Sequence, residues 1–392
     1  MKILRFLRNL VLGLLALIIA LFALTAIVAQ PDTAFRMFYY NFSDIDDYKI
    51  FPSRVLHASG KPFHFKTSDD PWRVPVTYHG IPFDQFLEEN GTTAFVVVKD
   101  DTIIYERYFG EYSKSTLIQA FSMSKSLFSM LIGRAVDDGY FTVDQPVTDF
   151  APELAANGFS RVTIENLLQM ASGSNYRQTG FDEFSSFSLH PRFEYSPRLE
   201  KEITTTLKVI DKPGSEFIYK SGDTALLSLV LTRALKDKTI TEYMQETLWS
   251  SLGMEYDGFY TVDHPGADGL EKVWCCLAAT ARDFAKFGQL MLNDGNWNGT
   301  QIISRAWVEK STHTDPNDTR RANPMFDEVS ISGYQYQWWL AAKDGAYLGV
   351  GHLGQYLYVN PTRSVVIVRL GRQGDDTSFW LDVFAYLAEN IR

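Results

Sequence analysis

Cysteine is all but missing from this chain of 392 residues; the two present, Cys275 and Cys276, are adjacent. A single neighbouring pair cannot build a disulfide framework, and such neighbours rarely bond because the bridge would close a strained ring. The expectation is two small, separate, buried thiols, with no Cys-based metal site. None of the seven histidines sits in an H-E-x-x-H helix motif. G-x-S-x-G and G-x-x-x-x-G-K-[ST] are also absent, so no nucleophile elbow and no phosphate-cradling loop of those kinds is present. Basic charge is scarce as well: 37 Lys and Arg stand against 47 Asp and Glu, a formal net charge of -10. That balance argues against nucleic acid as a partner. No internal repeat or low-complexity tract is visible.

Long apolar runs are also few, with one exception. Leu10 to Ala29 carries no charge and follows Lys2, Arg5 and Arg8. As a helix it would span about 30 Å, the thickness of a bilayer core. The apolar region of a cleaved signal is usually about 7–15 residues, so the length favours a retained anchor over cleavage near Ala26 or Ala29. The basic flank should stay cytoplasmic. The expectation is a single-pass inner-membrane protein with a periplasmic body, or a secreted one if the segment is removed. No cysteine near the run offers an acceptor for a lipoprotein anchor. The aromatic stretch Phe35 to Phe42 fits either a membrane interface or a helix docked on the body. Residues 31–80, with Pro52, Pro62, Pro71 and Pro75, read as an irregular, partly packed leader. Residues 81–392 then form the main globular domain.

With 45% hydrophobic and 21% charged residues the composition is globular. Phe83–Glu89 reads as a short helix, and Thr93–Val98 and Thr102–Tyr108 as a hairpin. A helix after Ser122 should end near Asp137-Asp138-Gly139. A second covers Val162–Met170 with Thr163 as its cap, and others cover Thr224–Leu235 and Thr280–Asn293. Gly333–Ala341, Gly345–Gly349, Leu357–Asn360 and Ser364–Leu370 read as strands, and Ser378–Ile391 as a closing helix. Residues 174–210, rich in Tyr176, Phe181, Phe184, Phe187, Phe193 and Tyr195, read as a loop-rich insertion. This pattern predicts an α+β fold. One antiparallel sheet would be built from the two ends of the domain and flanked by helices, with a mostly helical region inserted.

The chemistry concentrates at Phe121-Ser122-Met123-Ser124-Lys125-Ser126. Ser122 and Lys125 share one face of a first helical turn, so the amine reaches the hydroxyl. The helix N-terminus supplies donors for an oxyanion. Chance alone supplies about one Ser-x-x-Lys in a chain this long, and the plain alternative is a cap followed by a solvated lysine. Two further segments add weight. Tyr219-Lys220-Ser221 follows a Pro213-Gly214 turn and precedes a helix. A tyrosine there would act as base or relay, or else pack half-buried. Gly349-Val350-Gly351-His352-Leu353-Gly354-Gln355 has the glycines that let a backbone approach a ligand, and the N–H of Gln355 would complete an oxyanion hole with that of Ser122.

In this order, Ser-Met-Ser-Lys, Tyr-Lys-Ser and His-Leu-Gly resemble the three ordered elements of the serine β-lactamase and penicillin-binding-protein superfamily: S-x-x-K, Y-x-N and K-T-G. Leu167–Gly173 resembles its L-L-x-x-x-S-G turn. Leu277–Gly288 resembles the helix before M-L-x-x-G, and Tyr334–Trp339 its Y-G-Y-G-W-W strand. The resemblance runs from about residue 80 to the C-terminus and is nearest to class C-like esterases and aminohexanoate-oligomer hydrolases. It implies that Ser122 is acylated and that Lys125 and Tyr219 share base duty. Ser221, His352, Gly354 and Gln355 would line the substrate and oxyanion site, with no metal and no cofactor. Ser221 replaces an asparagine and His352 a permanent cation, so weak action on β-lactams is expected. Glu165 is read as a helix-start residue rather than a deacylating base. The preferred substrate is a small ester or amide. A cell-wall D-peptidase or penicillin-binding role, and an inactive membrane-bound binding protein, stay open, and the oligomeric state is unreadable.

Overall fold

The computed structural model describes residues 2–40, 43–70, 74–180, 182, 185, 187–318, 320, 330–374 and 376–391. Phe42, Pro71, Phe181, Phe184 and residues 321–329 lie outside the described residues. The main sheet has eight strands, which in spatial order are β12 (Ile331–Gln335), β13 (Trp338–Ala341), β14 (Tyr347–Gly351), β15 (Gln355–Asn360), β16 (Val365–Gly371), β5 (Thr92–Lys99), β6 (Thr102–Tyr108) and β2 (Lys66–Thr67). All pairs are antiparallel except β2 with β6. C-terminal β16 pairs with N-terminal β5 from Val365↔Lys99 to Gly371↔Thr92. The sheet is thus assembled from both ends of the domain, as the sequence pattern predicts.

Helices cover both faces, which is why β5 is apolar at nearly every position. Phe95 and Val97 face one core with α3 (Phe83–Glu89) and the closing helix α12 (Thr377–Asn390), where Trp380 and Phe384 pack. Val96 and Val98 face the other core, with α4 (Met123–Asp137) and α10 (Ala281–Leu292). Gly288 lets α10 lie close to the sheet: a Cβ there would meet Val366 Cγ1 at 2.5 Å.

The inserted region is helical. It holds α5 (Ile164–Leu168), α6 (Leu189–Tyr195), α7 (Leu199–Thr206), α8 (Ser221–Leu235) and α9 (Ile240–Met244). Thr163 caps α5 in a capping box with Asn166. The 174–210 segment contains two helices, α6 and α7, where loops were expected; each is at most eight residues, too short for a clear helical period. The reading of Gly333–Ala341 as one strand is also corrected. The chain turns at Tyr336 (φ 43) and Gln337 (φ 71), giving the β12–β13 hairpin. Gln337 holds that turn in the interior through Leu167 O, Leu168 O and Thr224 Oγ1.

The 31–80 segment is more ordered than a leader. β1 (Ser53–Leu56) belongs to a second sheet with β8 (Gly258–Thr261), β9 (Leu277–Ala279) and β7 (Ile118–Gln119). Small hairpins form from β3 (Thr77–Tyr78) with β4 (Ile81–Pro82) and from β10 (Asn296–Trp297) with β11 (Thr300–Gln301). At the N-terminus α1 (Lys2–Ala29) is the one helix among the described residues long and apolar enough to cross a membrane. It bends at Gln30 (φ 75) into α2 (Pro31–Tyr39). Thr33, Ala34 and Met37 of α2 are buried against the body, and Phe35, Phe38 and Tyr39 are exposed. Arg198 grips Asp32 with two bonds of 2.7 Å, and Arg36 donates to Asp263 O at 3.1 Å.

Candidate active site

β7 runs into Ala120 and Phe121, and Ser122 caps α4. Phe121 has φ 45, a left-handed conformation that costs a non-glycine residue about 1–3 kcal/mol and marks the elbow before the serine. The serines around Lys125 fasten this turn. Ser124 Oγ accepts Leu277 N at 3.2 Å, and Ser126 Oγ donates to Gln337 O at 2.7 Å. Ser122 itself is half-buried.

Lys125 Nζ lies 2.8 Å from Ser122 Oγ and 3.0 Å from Trp274 O. The lysine is 1% exposed, and burial pulls its pKa from 10.5 down to about 7, opposed by the Glu194 charge. Tyr219 is brought in by the strand-like approach to α8, fixed by Ile218 N to Met170 O at 3.0 Å. Its hydroxyl bonds the Ser122 side chain, and its ring lies 5.0 Å from Lys125 Nζ. Trp339 and Tyr334 pack on the ring, with centroids 5.3 and 6.0 Å away. Burial raises the Tyr219 pKa well above 10, outweighing the Ser122 hydrogen bond. At pH 7–8 both partners of Ser122 are therefore predominantly or substantially uncharged.

The remaining expected residues are placed differently. Ser221 begins α8 and is buried, and its N–H donates to Gln178 Oε1. Gly222 sits against the Tyr176 ring, and Asp223 accepts Ser172 Oγ at 2.5 Å, tying α8 to the Leu167–Gly173 turn. His352, Leu353 and Gly354 form the turn between β14 and β15, with His352 exposed and edge-on to Phe121 at 5.6 Å. Gly354 (φ 77) is crowded by Arg369 and by Gln373 O, so its missing side chain admits the hairpin, not a ligand. Gln355 pairs with Gly351, and its side chain bonds His352 O and Gly371 O at 3.1 and 2.7 Å. The backbone against the Ser122 turn belongs to β14 instead. A Cβ at Gly351 would collide with Ala120 O, and one at Gly349 would meet Ser126 Oγ at 3.1 Å. β13 pairs with β14 only at Leu348 and Tyr347, leaving Gly349 to Gly351 without a strand on that side among the described residues. The sequence match lies in the turn, whereas the glycines packed against the Ser122 helix start lie in the strand before it.

Glu165 Oε1 accepts Tyr336 Oη at 2.6 Å. Glu194, Gln178 and Trp274 had no signal in the sequence: Trp274 acts through its backbone carbonyl, and Glu194 and Gln178 reach the site from the 174–210 segment. The expectation of two free thiols is overturned, since Cys275 and Cys276 form a disulfide. Both of their N–H groups donate to Lys272 O, at 3.4 and 3.1 Å, a bend that puts the two sulfurs together. An open cavity of about 740 Å³ lined by Lys61, Phe63, Ser250 and Trp297 lies elsewhere and holds none of the groups around Ser122.

Residues 83–386 match the family profile described as Beta-lactamase. The 6-aminohexanoate-dimer hydrolase of Paenarthrobacter ureafaciens is 29% identical over 309 residues, 76% of this chain and 77% of that protein. Among solved structures, a putative 6-aminohexanoate-dimer hydrolase from Bacillus anthracis is similar with a TM-score of 0.72 and 22% identity, over 90% of this chain and 93% of that one. A family VIII carboxylesterase is similar with a TM-score of 0.59 and 17% identity, over 79% and 94%. These last two likenesses speak for the fold alone. The profile spans well over half of the sequence, and the chain belongs to the Beta-lactamase family of serine hydrolases.

Proposed function

We propose that the chain hydrolyses small, uncharged esters or amides through an acyl-enzyme on Ser122. The observation that carries this is Lys125 Nζ at 2.8 Å from Ser122 Oγ, with burial bringing its pKa to about 7. Neutral Lys125 takes the serine proton as Oγ attacks the carbonyl. Tyr219, held as a neutral phenol, passes a proton to the leaving group, and water then releases the acyl group by the reverse relay. The lysine and tyrosine act as one coupled unit. The Ser122 N–H at the head of α4 and a backbone N–H of the Gly349–Gly351 edge receive the oxyanion. β14 carries no charged residue, so nothing on that strand attracts a substrate carboxylate. Phe217, Tyr334 and Trp339 beside Tyr219 favour an apolar group. The likeness to an aminohexanoate-dimer hydrolase is consistent with cleavage of an amide.

In the same proposal α1 stays as an anchor, with the body outside the cytoplasm. The docked α2 turns Phe35, Phe38 and Tyr39 toward the headgroups, an aromatic belt at the membrane surface. A mature N-terminus near Gln30 would refute the anchor. For the chemistry, Ser122→Ala is expected to lose fluorophosphonate labelling and p-nitrophenyl ester turnover while keeping its circular dichroism spectrum. Labelling that persists in the variant sinks the assignment.

A further inference from the structure

Lys272 to Leu277 form a short bridge that touches the nucleophile turn at two points. Trp274 O receives Lys125 Nζ at 3.0 Å. Leu277 N donates to Ser124 Oγ at 3.2 Å, and Leu277 O accepts Ala120 N at 2.8 Å. Behind the bridge, the Trp274 indole N–H donates to the Glu194 carboxylate, and Lys272 Nζ donates to Glu194 O. Cys275 and Cys276 lie between the two points of contact, joined by their disulfide. The two bridge residues that contact this turn, Trp274 and Leu277, are therefore each next in sequence to a bonded cysteine. A bond between neighbours closes an eight-membered ring that includes their shared, planar peptide group. The ring removes torsional freedom that the open chain would have to lose on ordering.

We propose that the Cys275–Cys276 disulfide is a positioning element for catalysis and a redox-sensitive modification site: it holds the Trp274 carbonyl where that carbonyl fixes Lys125 Nζ against Ser122 Oγ. The proposal rests on the reading of Lys125 as the base. The two cysteines are 7% and 6% exposed, which leaves a small dithiol an approach. In the exchange a reductant thiolate attacks one Sγ, the cysteine–cysteine bond breaks, and a mixed disulfide forms. The second reductant thiol then attacks the reductant sulfur of that mixed disulfide and displaces the cysteine still bound to it. Two electrons and two protons pass to the cysteines, and the reductant leaves as its own cyclic disulfide. The open chain lets the Trp274 carbonyl drift, and a misplacement of about 1 Å at a reacting group costs on the order of a hundredfold in rate. An oxidising compartment would keep the bond closed and the enzyme fast.

The test uses the full chain in detergent with a chelator, because thiols freed beside Glu194, all within 4.8 Å of one another, would otherwise collect zinc. Alkylation and mass spectrometry should count no free thiol before dithiothreitol and two after. Reduction should slow fluorophosphonate acylation and ester kcat by about tenfold or more, with KM within about twofold, and reoxidation by oxidised glutathione should restore both. A Cys275→Ser/Cys276→Ser variant should show the slow rate and ignore the reductant. Two alkylatable thiols in the untreated protein overturn the proposal, as does full-rate acylation after reduction or by the double variant. A change confined to KM also overturns it, because it would place the effect on substrate binding. If the double variant does not fold, the reduction and reoxidation of the unaltered protein decide. Lys125→Ala is the separate control: acylation that survives it refutes the lysine as base, whatever the redox result.

Discussion

Replacing Lys125 by methionine should make the protein more stable and inactive, and the gain should fade as pH rises. In the fold the lysine pKa falls from 10.5 to about 7 through burial. At about 1.36 kcal/mol per pH unit, that burial costs up to about 5 kcal/mol whenever the unfolded chain holds a full ammonium. The unfolded state binds the extra proton between the two pKa values. The penalty is therefore fully present below about pH 7 and is relieved as pH climbs toward 10.5. Methionine keeps the length and removes the amine. Against this, the variant leaves Trp274 O without its 3.0 Å donor, which costs about 1–3 kcal/mol. The expected net gain at pH 7 is about 1–3 kcal/mol, shrinking by about 3 kcal/mol by pH 9.5 and so reversing sign or vanishing. Paired urea titrations of the two proteins in the same detergent, at both pH values, read the difference, and all other titrations cancel. A variant that is less stable at pH 7, or a gap that does not move with pH, would refute a neutral, buried lysine.

The same proton governs rate: kcat/KM should rise through about pH 7 as Lys125 becomes a free base, then stay level, because the raised Tyr219 pKa puts its ionisation beyond the ordinary range. A profile that falls across pH 6–8 contradicts this. Tyr219→Phe keeps the packing on Trp339 and Tyr334 and loses the hydroxyl, so kcat should drop by roughly 10²–10⁴ with little change in melting temperature. Gly351→Val and Gly354→Ala should separate the two sides of the β14–β15 hairpin. The first forces β14 off Ala120 and should cost at least about tenfold in kcat. The second strikes Arg369 at a positive φ and should cost about 1–3 kcal/mol of stability, with the kcat/KM of the folded protein unchanged.

What the sequence could reveal followed from how local each signal was. α3 was readable to the residue, and the β5–β6 hairpin nearly so, because period, caps and turn residues agree there. The Ser122–Lys125 pair was readable because helix geometry alone puts positions three apart on one face. The turn at Tyr336-Gln337 was not: two bulky residues sit at positive φ where Asn or Gly is the usual signal, and long-range hydrogen bonds of the Gln337 amide and the Tyr336 hydroxyl hold them. The second sheet was invisible for a related reason. Its strands β1, β7, β8 and β9 are short and far apart in sequence, and none has an alternating pattern long enough to stand out. The disulfide was misjudged from a base rate for neighbouring cysteines, and the bend on Lys272 O that brings the sulfurs together is a tertiary fact.

The oxyanion donor shows a different limit and bears on the substrate argument. A match to K-T-G points to residue types, whereas an oxyanion hole is made of backbone, which has no type. His352 was weighed as a lost cation, but it lies in a turn beyond the strand that meets Ser122. The strand that does meet it, Tyr347 to Gly351, has no cation either, and the proposal of weak action on carboxylate-bearing β-lactams rests on that strand. Burial works in the same direction on both proton carriers, lowering the lysine and raising the tyrosine. A negative substrate would have to be bound without a fixed positive charge on the strand that receives it. An uncharged acyl donor makes no such demand, and its only developing charge is the oxyanion itself, which in the proposed mechanism the two backbone N–H groups would receive.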